Sequence, residues 1–360
     1  MKGYKILPNV HFGNVNKIKD LIDDSHREIL LLTSPSILAH LNQSNVLTEI
    51  RRDHNLSVYS EVLPNAPLNM LNEIVSKCKK PDCIIAVGGG STIDSGKALS
   101  VAWSQHMEDF FYKRKSLEGY KINLIAVPTT AGTGAELSYG AILEDTKNKK
   151  KGGLRGELIQ PSTVLIDFQL YKSAPDQLMA ESGFDCLTHA IETFLSVAST
   201  PLVEYQSINA IRNVFNSLPE AVATRSEKDI ECMAITSSLM GVNLALSSTC
   251  LPHRIQYVIG PRTNTSHAQG LIMLYNGWLP IISKTEKFMS LSRLLGYQPN
   301  SLVNKILEFK VRLGIDISLS DFGIKESEVS NLAMEVTGNV EMDPCYSDIN
   351  TIKDIISNSL

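Results

Sequence analysis

No two of the six cysteines (Cys78, Cys83, Cys186, Cys232, Cys250 and Cys345) stand in a Cys-x-x-Cys arrangement, so neither a thiolate zinc site nor a disulfide framework is indicated. Scattered thiols of this kind fit a reducing compartment. No run approaches the roughly 18 apolar residues of a membrane span, and the opening MKGYKILPNVHFG has no apolar signal-peptide core. A cytoplasmic location without a membrane partner is therefore expected. An excess of positive charge is missing too: 34 Lys and Arg against 38 Asp and Glu give a net charge of −4, which provides no basic field for nucleic acid. Neither internal repeats nor low-complexity tracts interrupt the chain. What remains is an ordinary globular composition, 43% apolar and 20% charged over 360 residues. That length suffices for two domains or one large α/β domain. A small molecule is the expected partner.

The first half alternates short apolar runs with helical patterns. REILLLTS, CIIAVGGG, INLIAVPTT and TVLID read as buried strands, with segments such as PLNMLNEIVSKCK between them. Ile-, Leu- and Val-rich strands separated by helices imply a mostly parallel sheet covered on both faces, a Rossmann-like nucleotide-binding style of domain. After about residue 170 the pattern changes to long helical stretches, among them YQSINAIRNVFNSLPEAVA, DIECMAITSSLMGVNLALS and TIKDIISNSL. An α/β domain over residues 1–170 and an all-α domain over 171–360 are expected. The Lys-rich DTKNKKKGG near their junction reads as a solvated loop.

CIIAVGGGSTIDSGKALS runs from a strand through Gly88, Gly89, Gly90 and Ser91 into a helix expected to begin near Thr92. Successive glycines let the backbone approach a ligand closely, and the helix N-terminus offers orphan N–H donors to a pyrophosphate. It is not a P-loop: five residues rather than four separate Gly90 from Gly96, and Ala98 follows Lys97. Nor is it G-x-G-x-x-G, since no glycine stands at the third place. A second strand end, AVPTTAGTGAELS, puts Thr129, Thr130 and Thr133 at what should be the same edge of the sheet, where open α/β folds bind ligands.

Eight histidines are present, five of them (His11, His26, His40, His54, His106) in the first third, where each alone reads as a surface or satisfied core residue. The remainder holds only His189, His253 and His267. In FDCLTHAIE, Asp185 and His189 lie four apart on one helix face. That spacing suits either a surface pair worth about 0.2–0.5 kcal/mol or half of a metal site. With His253 and His267, fourteen residues apart, they would make a mixed N/O ligand set for iron(II) or zinc.

Taken together, GGGSTID, PTTAGTGAE, the GFDCLTHAIE helix and the His253/His267 pair resemble the iron-containing, or group III, alcohol dehydrogenases. The resemblance runs from the first strand to the DPCYSDINTIKDII tail. It implies a dehydroquinate synthase-like architecture, a dinucleotide-binding domain followed by a helical one, with a divalent metal (Fe2+ before Zn2+) and NADPH or NADH meeting in the cleft. It implies a homodimer. It also implies Asp185, His189, His253 and His267 as metal ligands, with His267 counted among the catalytic residues. Gly89, Gly90, Ser91 and Asp94 match the pyrophosphate loop, Thr129 and Thr130 nucleotide-contacting threonines, Lys151 a lysine near the cofactor ribose, and Asn65 in LPNAP a further cofactor-side position.

Departures from the family pattern bear on specificity. Ser34 follows ILLLT where NAD-preferring relatives often carry an Asp, which removes repulsion against a 2′-phosphate and brings NADPH level with NADH; Ser34 could also simply cap a helix opening at Pro35. Tyr257 stands where many relatives carry a second histidine, as a proton donor or as a pocket wall. The His-x-x-x-Tyr arrangement resembles the phosphonoacetaldehyde reductase branch. Arg254 and Arg262 bracket Tyr257 and, with Tyr139, are the candidate substrate contacts, a guanidinium suiting a phosphonate or carboxylate; the alternative for each arginine is an ordinary ion pair. Ala135 and Ala268 replace the family's usual Ser and Gly without removing a ligand.

The expected activity is interconversion of a small, possibly anionic aldehyde with its alcohol. A sugar-phosphate cyclase of the dehydroquinate synthase type would share the architecture, but should show more basic residues for phosphate and another ligand set. A non-catalytic scaffold of the same fold would be favoured by a lost ligand, and all four are present.

Overall fold

The computed structural model describes residues 8–103, 106–113 and 121–360. The MKGYKIL opening therefore lies outside the described residues. Two compact units form: residues 1–130 with 134–174, and residues 131–133 with 175–360.

The first unit is built on a six-stranded, all-parallel sheet ordered β1-β8-β5-β4-β2-β3. Its strands are β1 (Asn9–Phe12), β2 (Glu28–Leu32), β3 (Asn55–Tyr59), β4 (Cys83–Gly88), β5 (Asn123–Pro128) and β8 (Thr163–Ile166). A separate antiparallel pair joins β6 (Gly140–Asp145) to β7 (Lys150–Arg155). Side chains alternate between the two faces. Leu30, Leu32, Ile84 and Ala86 enter one core, and Ile29, Leu31, Cys83, Ile85 and Val87 enter the other.

Helices α1 (Pro35–Gln43), α2 (Val46–Asp53), α3 (Leu68–Lys77), α4 (Gly90–Ala102), α5 (Met107–Lys113) and α6 (Phe168–Tyr171) complete this unit. Leu41, Ile50 and Leu170 from α1, α2 and α6 pack into one of the cores, and Leu71, Leu99 and Phe110 from α3, α4 and α5 into the other. Because β3 and β4 lie on opposite sides of β2, the chain reverses its winding between β2 and β4. The carboxyl ends of those two strands, where Ser34 and the glycine triplet follow, form the switch point at which such sheets bind ligands.

Three features differ from the sequence expectation. The short strands β1 and β3 have too little apolar alternation to stand out, being exposed or half-buried along their length. Helix α4 opens at Gly90, two residues earlier than Thr92, with Gly89 as its cap. The Lys-rich segment is not simply a solvated loop: its lysines turn through Lys149, in the left-handed region at φ 52°, and continue as strand β7.

That hairpin is fastened to α4 by two side chains one helical turn apart. Asp94 accepts from the Ile142 N–H at 2.9 Å, and Lys97 donates to the Ser138 and Gly140 carbonyls at 3.0 and 2.6 Å. Burial dominates both titrations, lifting the Asp94 carboxyl to about 6 and lowering the Lys97 amine to about 8, while their mutual attraction works the other way.

The second unit is helical: α7 (Asp176–Leu195), α8 (Pro201–Thr224), α9 (Glu227–Leu246), α10 (Leu251–Thr263), α11 (His267–Ile282), α12 (Glu286–Leu295), α13 (Pro299–Arg312), α14 (Val329–Glu335) and α15 (Ile349–Ser357). Side-chain caps start several of them, including Thr200 with Pro201 at the first position, Ser266 and Thr285. Helix α7 is buried continuously from Met179 to Leu195, as a helix must be when neighbours surround it. Among the described residues no single helix is long and apolar enough to cross a membrane.

Lys97 gives the α/β unit a defined pH response. Its folded pKa, about 8, lies below the ordinary 10.5, so the unfolded chain binds more protons between those values and stability rises with pH across that window. Urea midpoints at pH 8 and pH 10.5 should therefore show wild type gaining on Lys97→Met; a constant difference would place the Lys97 amine in an ordinary environment.

Candidate metal centre and glycine-rich loop

A buried helix with polar residues on one face needs a reason for them. On α7 that face carries Glu181, Asp185, His189 and Glu192, spaced four, four and three residues apart, so they stack along one stripe. Asp185, His189 and Glu192 are 2%, 4% and 0% exposed. His253, the third residue of α10, and His267, the first residue of α11, come to the same place from other helices. The ligand-capable atoms of Asp185, His189, His253 and His267 all lie within 4.8 Å of one another. The structure thus brings together all four residues singled out from sequence.

Each imidazole is oriented from behind. Nδ1 of His189 donates to the Gly132 carbonyl at 3.3 Å, that of His253 to Glu192 Oε2 at 2.8 Å, and that of His267 to Gln256 Oε1 at 2.8 Å. With the proton on Nδ1, a neutral ring carries its lone pair on Nε2. Nε2 of His189 and of His267 lie 3.6 and 4.0 Å from Asp185 Oδ1. Tetrahedral bonds of about 2.1 Å put ligand atoms about 3.4 Å apart, so a small contraction of this cluster would close it around an ion. Three imidazole nitrogens and a carboxylate suit iron(II) or zinc, and the residues present fit such an ion.

Contacts at the starts of the two helices account for the convergence. Helix α10 lacks a side-chain cap of its own at Cys250, and two buried carboxylates take that place: Glu192 accepts the Cys250 N–H at 2.7 Å and Asp343 accepts the Leu251 N–H at 2.9 Å. Asp343 also accepts from Trp278 Nε1 on α11 at 2.8 Å. Burial pushes the Glu192 carboxyl well above the usual range, with the Cys250 N–H opposing it. At the start of α11, Ser266 and Gln269 form a reciprocal capping box, and the Gln269 amide reaches Glu181 at 3.0 Å. Gly270 leaves room for Gln256: a Cβ there would lie 2.6 Å from Gln256 Cγ. Glu181, Glu192, Gln256 and Asp343 were not singled out from sequence. The signal available was an acid three residues after His189 on the same face of an otherwise apolar helix.

Tyr257 stacks on His267 with ring centroids 6.3 Å apart, and the Arg254 guanidinium lies 5.4 Å from the Tyr257 centroid. Arg254 also donates to Thr249 Oγ1. Arg262 is engaged elsewhere, with the Val258 carbonyl at 2.7 Å and the Glu335 carboxylate.

In the α/β unit three residues named for the dinucleotide form one chain of contacts. The Ser91 hydroxyl accepts the Asn65 N–H at 3.0 Å, and Lys151 Nζ donates to Asn65 Oδ1 at 2.8 Å. Asn65 has φ 62°, the left-handed region that asparagine tolerates better than most residues. Gly88 ends β4 where a Cβ would come within 2.4 Å of Thr92 Oγ1, so the turn into α4 admits no side chain. Gly89 and Gly90 follow it, with Thr130 beside Gly89 and the Thr129 N–H donating to the Gly88 carbonyl. The Asp94 carboxylate faces the hairpin. Ser34 caps α1, accepting the Ile37 N–H at 3.5 Å. The Tyr139 carbonyl accepts from the Gly156 N–H at 2.9 Å, and Thr133 falls in the segment that belongs to the helical unit.

Comparison with known proteins agrees with this arrangement. Residues 8–168 match the profile described as iron-containing alcohol dehydrogenase, and residues 179–360 that of the Fe-containing alcohol dehydrogenase family, C-terminal. The chain belongs to the iron-containing alcohol dehydrogenase family. It is 27% identical over 325 residues to an aldehyde-alcohol dehydrogenase of Streptococcus pneumoniae, 80% of this chain but only 37% of that longer protein. It is 26% identical to the NAD-dependent methanol dehydrogenase of Bacillus methanolicus over 85% of each chain. An archaeal Red Sea brine pool alcohol dehydrogenase superposes with a TM-score of 0.91 at 20% identity, covering 100% of this chain and 99% of that one, which shows the shared fold.

A ligand set of this kind links an ion to stability. Chelator-stripped protein should melt lower than protein with Zn2+ at 100 times its dissociation constant, by an increment equivalent to about 2.7 kcal/mol, and His253→Ala should lose that increment. A melting curve indifferent to Zn2+ in wild type would remove the site.

Proposed function

We propose that the chain is an NAD(P)-linked alcohol dehydrogenase working as a reductase of a small aldehyde, with Asp185, His189, His253 and His267 holding a divalent ion, iron(II) before zinc. The observation that carries this reading is the convergence of one carboxylate and three imidazoles whose Nδ1 atoms are each held by an oxygen acceptor, which presents their Nε2 atoms as donors for an ion. When bound, the ion supplies Lewis-acid polarisation of the carbonyl oxygen and the nicotinamide supplies the hydride. The protein's own share is to bind, orient and donate a proton.

In that scheme the helix N-terminus after Gly89 and Gly90, with Ser91, receives the pyrophosphate. Thr129, Thr130, Asn65 and Lys151 line the nucleotide. Ser34 brings no carboxylate to the adenosine ribose, so a 2′-phosphate meets no repulsion and NADPH is accepted alongside NADH. The Tyr257 hydroxyl, or a water beside it, delivers the proton that completes the alcohol. The stacking of Tyr257 on His267 supports this role.

For the substrate we propose an aldehyde bearing a small anionic group such as a phosphonate. Arg254 supports this, since its guanidinium lies by the Tyr257 ring and makes no hydrogen bond to a carboxylate among the described residues. Arg262, paired with Glu335, is the weaker contributor.

Anaerobic reconstitution with iron(II), followed by an aldehyde panel with each reduced cofactor, tests the reading. His267→Ala should abolish turnover while dinucleotide binding, followed by NADPH fluorescence, persists; full turnover by that variant would contradict the metal's role. Arg254→Met should raise KM for phosphonoacetaldehyde roughly 10- to 100-fold, the loss of one charge-assisted hydrogen bond, and leave an uncharged aldehyde of similar size unaffected. Equal rates on both aldehydes in wild type would remove the anionic substrate.

A further inference from the structure

Three imidazoles converge on the candidate centre, yet they are not held alike. His189 leans on a backbone carbonyl and His267 on a side-chain amide, both neutral acceptors, whereas His253 donates to a carboxylate. We propose that Glu192 is a positioning residue of the metal centre: it fixes the ring plane and tautomer of His253, strengthens that nitrogen as a ligand, and ties it to the start of α10. This rests on the metal reading above and assigns a residue to it outside the ligand set.

Glu192 is fully buried, three residues beyond His189 and seven beyond Asp185 on α7. Its Oε2 accepts two donors, the Cys250 N–H at 2.7 Å and His253 Nδ1 at 2.8 Å, and its Oε1 accepts the Tyr275 hydroxyl at 3.4 Å. Because Oε2 already receives a backbone N–H, it meets the imidazole as an acceptor, and the ring's proton is therefore on Nδ1. The lone pair is then on Nε2, where an ion would need it. Cys250 caps α10 and His253 is the helix's third residue, so a single oxygen sets both the beginning of the helix and the direction of its ligand.

Carboxylate partners behind ligating histidines raise their basicity and fix their orientation, and losing one typically costs 10- to 100-fold in metal affinity. Tyr275 and Cys250, both buried, hold the carboxylate in turn, which keeps it from rotating away from the ring.

The experiment uses the full chain stripped of metal and titrated with Co2+, whose visible bands report the ligand field, against a competing chelator. Glu192→Gln should weaken Co2+ binding about 10- to 100-fold and shift those bands, while the far-UV circular dichroism of the metal-free protein matches wild type. In a His253→Ala background the same substitution should cause no further loss, because its effect passes through that ring. An affinity within twofold of wild type, or an equal loss with and without His253, overturns the proposal. Should Glu192→Gln fail to fold, Glu192→Asp keeps the carboxyl group and shortens the reach: weakened Co2+ binding supports the role, and unchanged binding overturns it. A wild-type chain that takes up no Co2+ refutes the metal centre itself, a result distinct from unchanged affinity in the variant.

Discussion

A carboxylate and three imidazoles in the interior of a helical unit dominate the architecture of that unit. An ionised group away from water is costly unless a partner of opposite sign or a set of hydrogen bonds answers it. Asp185 sits among three imidazoles whose Nδ1 atoms are each held from behind, so the donor atoms that face the cluster suit a cation. Two of the helices that carry the cluster are placed by contacts close to it: Glu192 and Asp343 start α10, Glu181 and the capping box start α11, and Gln256 bridges the two helices to reach His267.

The same economy holds in the α/β unit. Two residues of α4, Asp94 and Lys97, fasten the β6–β7 hairpin to the helix whose N-terminus follows the glycine triplet. The hairpin in turn carries Lys151 to Asn65, and Asn65 to Ser91. Buried charges here act as fasteners with fixed reach, a use that an apolar side chain cannot reproduce because it has no direction.

How much of this was legible in the sequence depended on whether the signal was local. The buried parallel strands were readable as apolar runs, and the glycine triplet as a strand-to-helix turn, because both are properties of consecutive residues. The Asp185/His189 pair was readable as one helix face but not as a metal site, since spacing alone does not separate a surface pair from a buried one. The scarcity of histidines in the second half named His253 and His267 as the possible partners, and the resemblance to a known family decided between the two readings. Strands β1 and β3 escaped notice because edge strands in this sheet are polar and half exposed, and the lysines of β7 masked a hairpin behind a solvated appearance. Glu192, Gln256 and Asp343 were invisible for a different reason: each acts on a residue 11 to 92 positions away, and nothing in a one-dimensional pattern marks such a pairing.

The most direct test of the central claim is X-ray absorption at the iron edge of protein reconstituted anaerobically with one equivalent of Fe2+. The account predicts a first shell of nitrogen and oxygen neighbours at about 2.1 Å, with outer-shell scattering that fits three imidazole rings and falls to two in His189→Ala. A spectrum of fully hydrated iron, or one whose imidazole count is unchanged by that substitution, would contradict it.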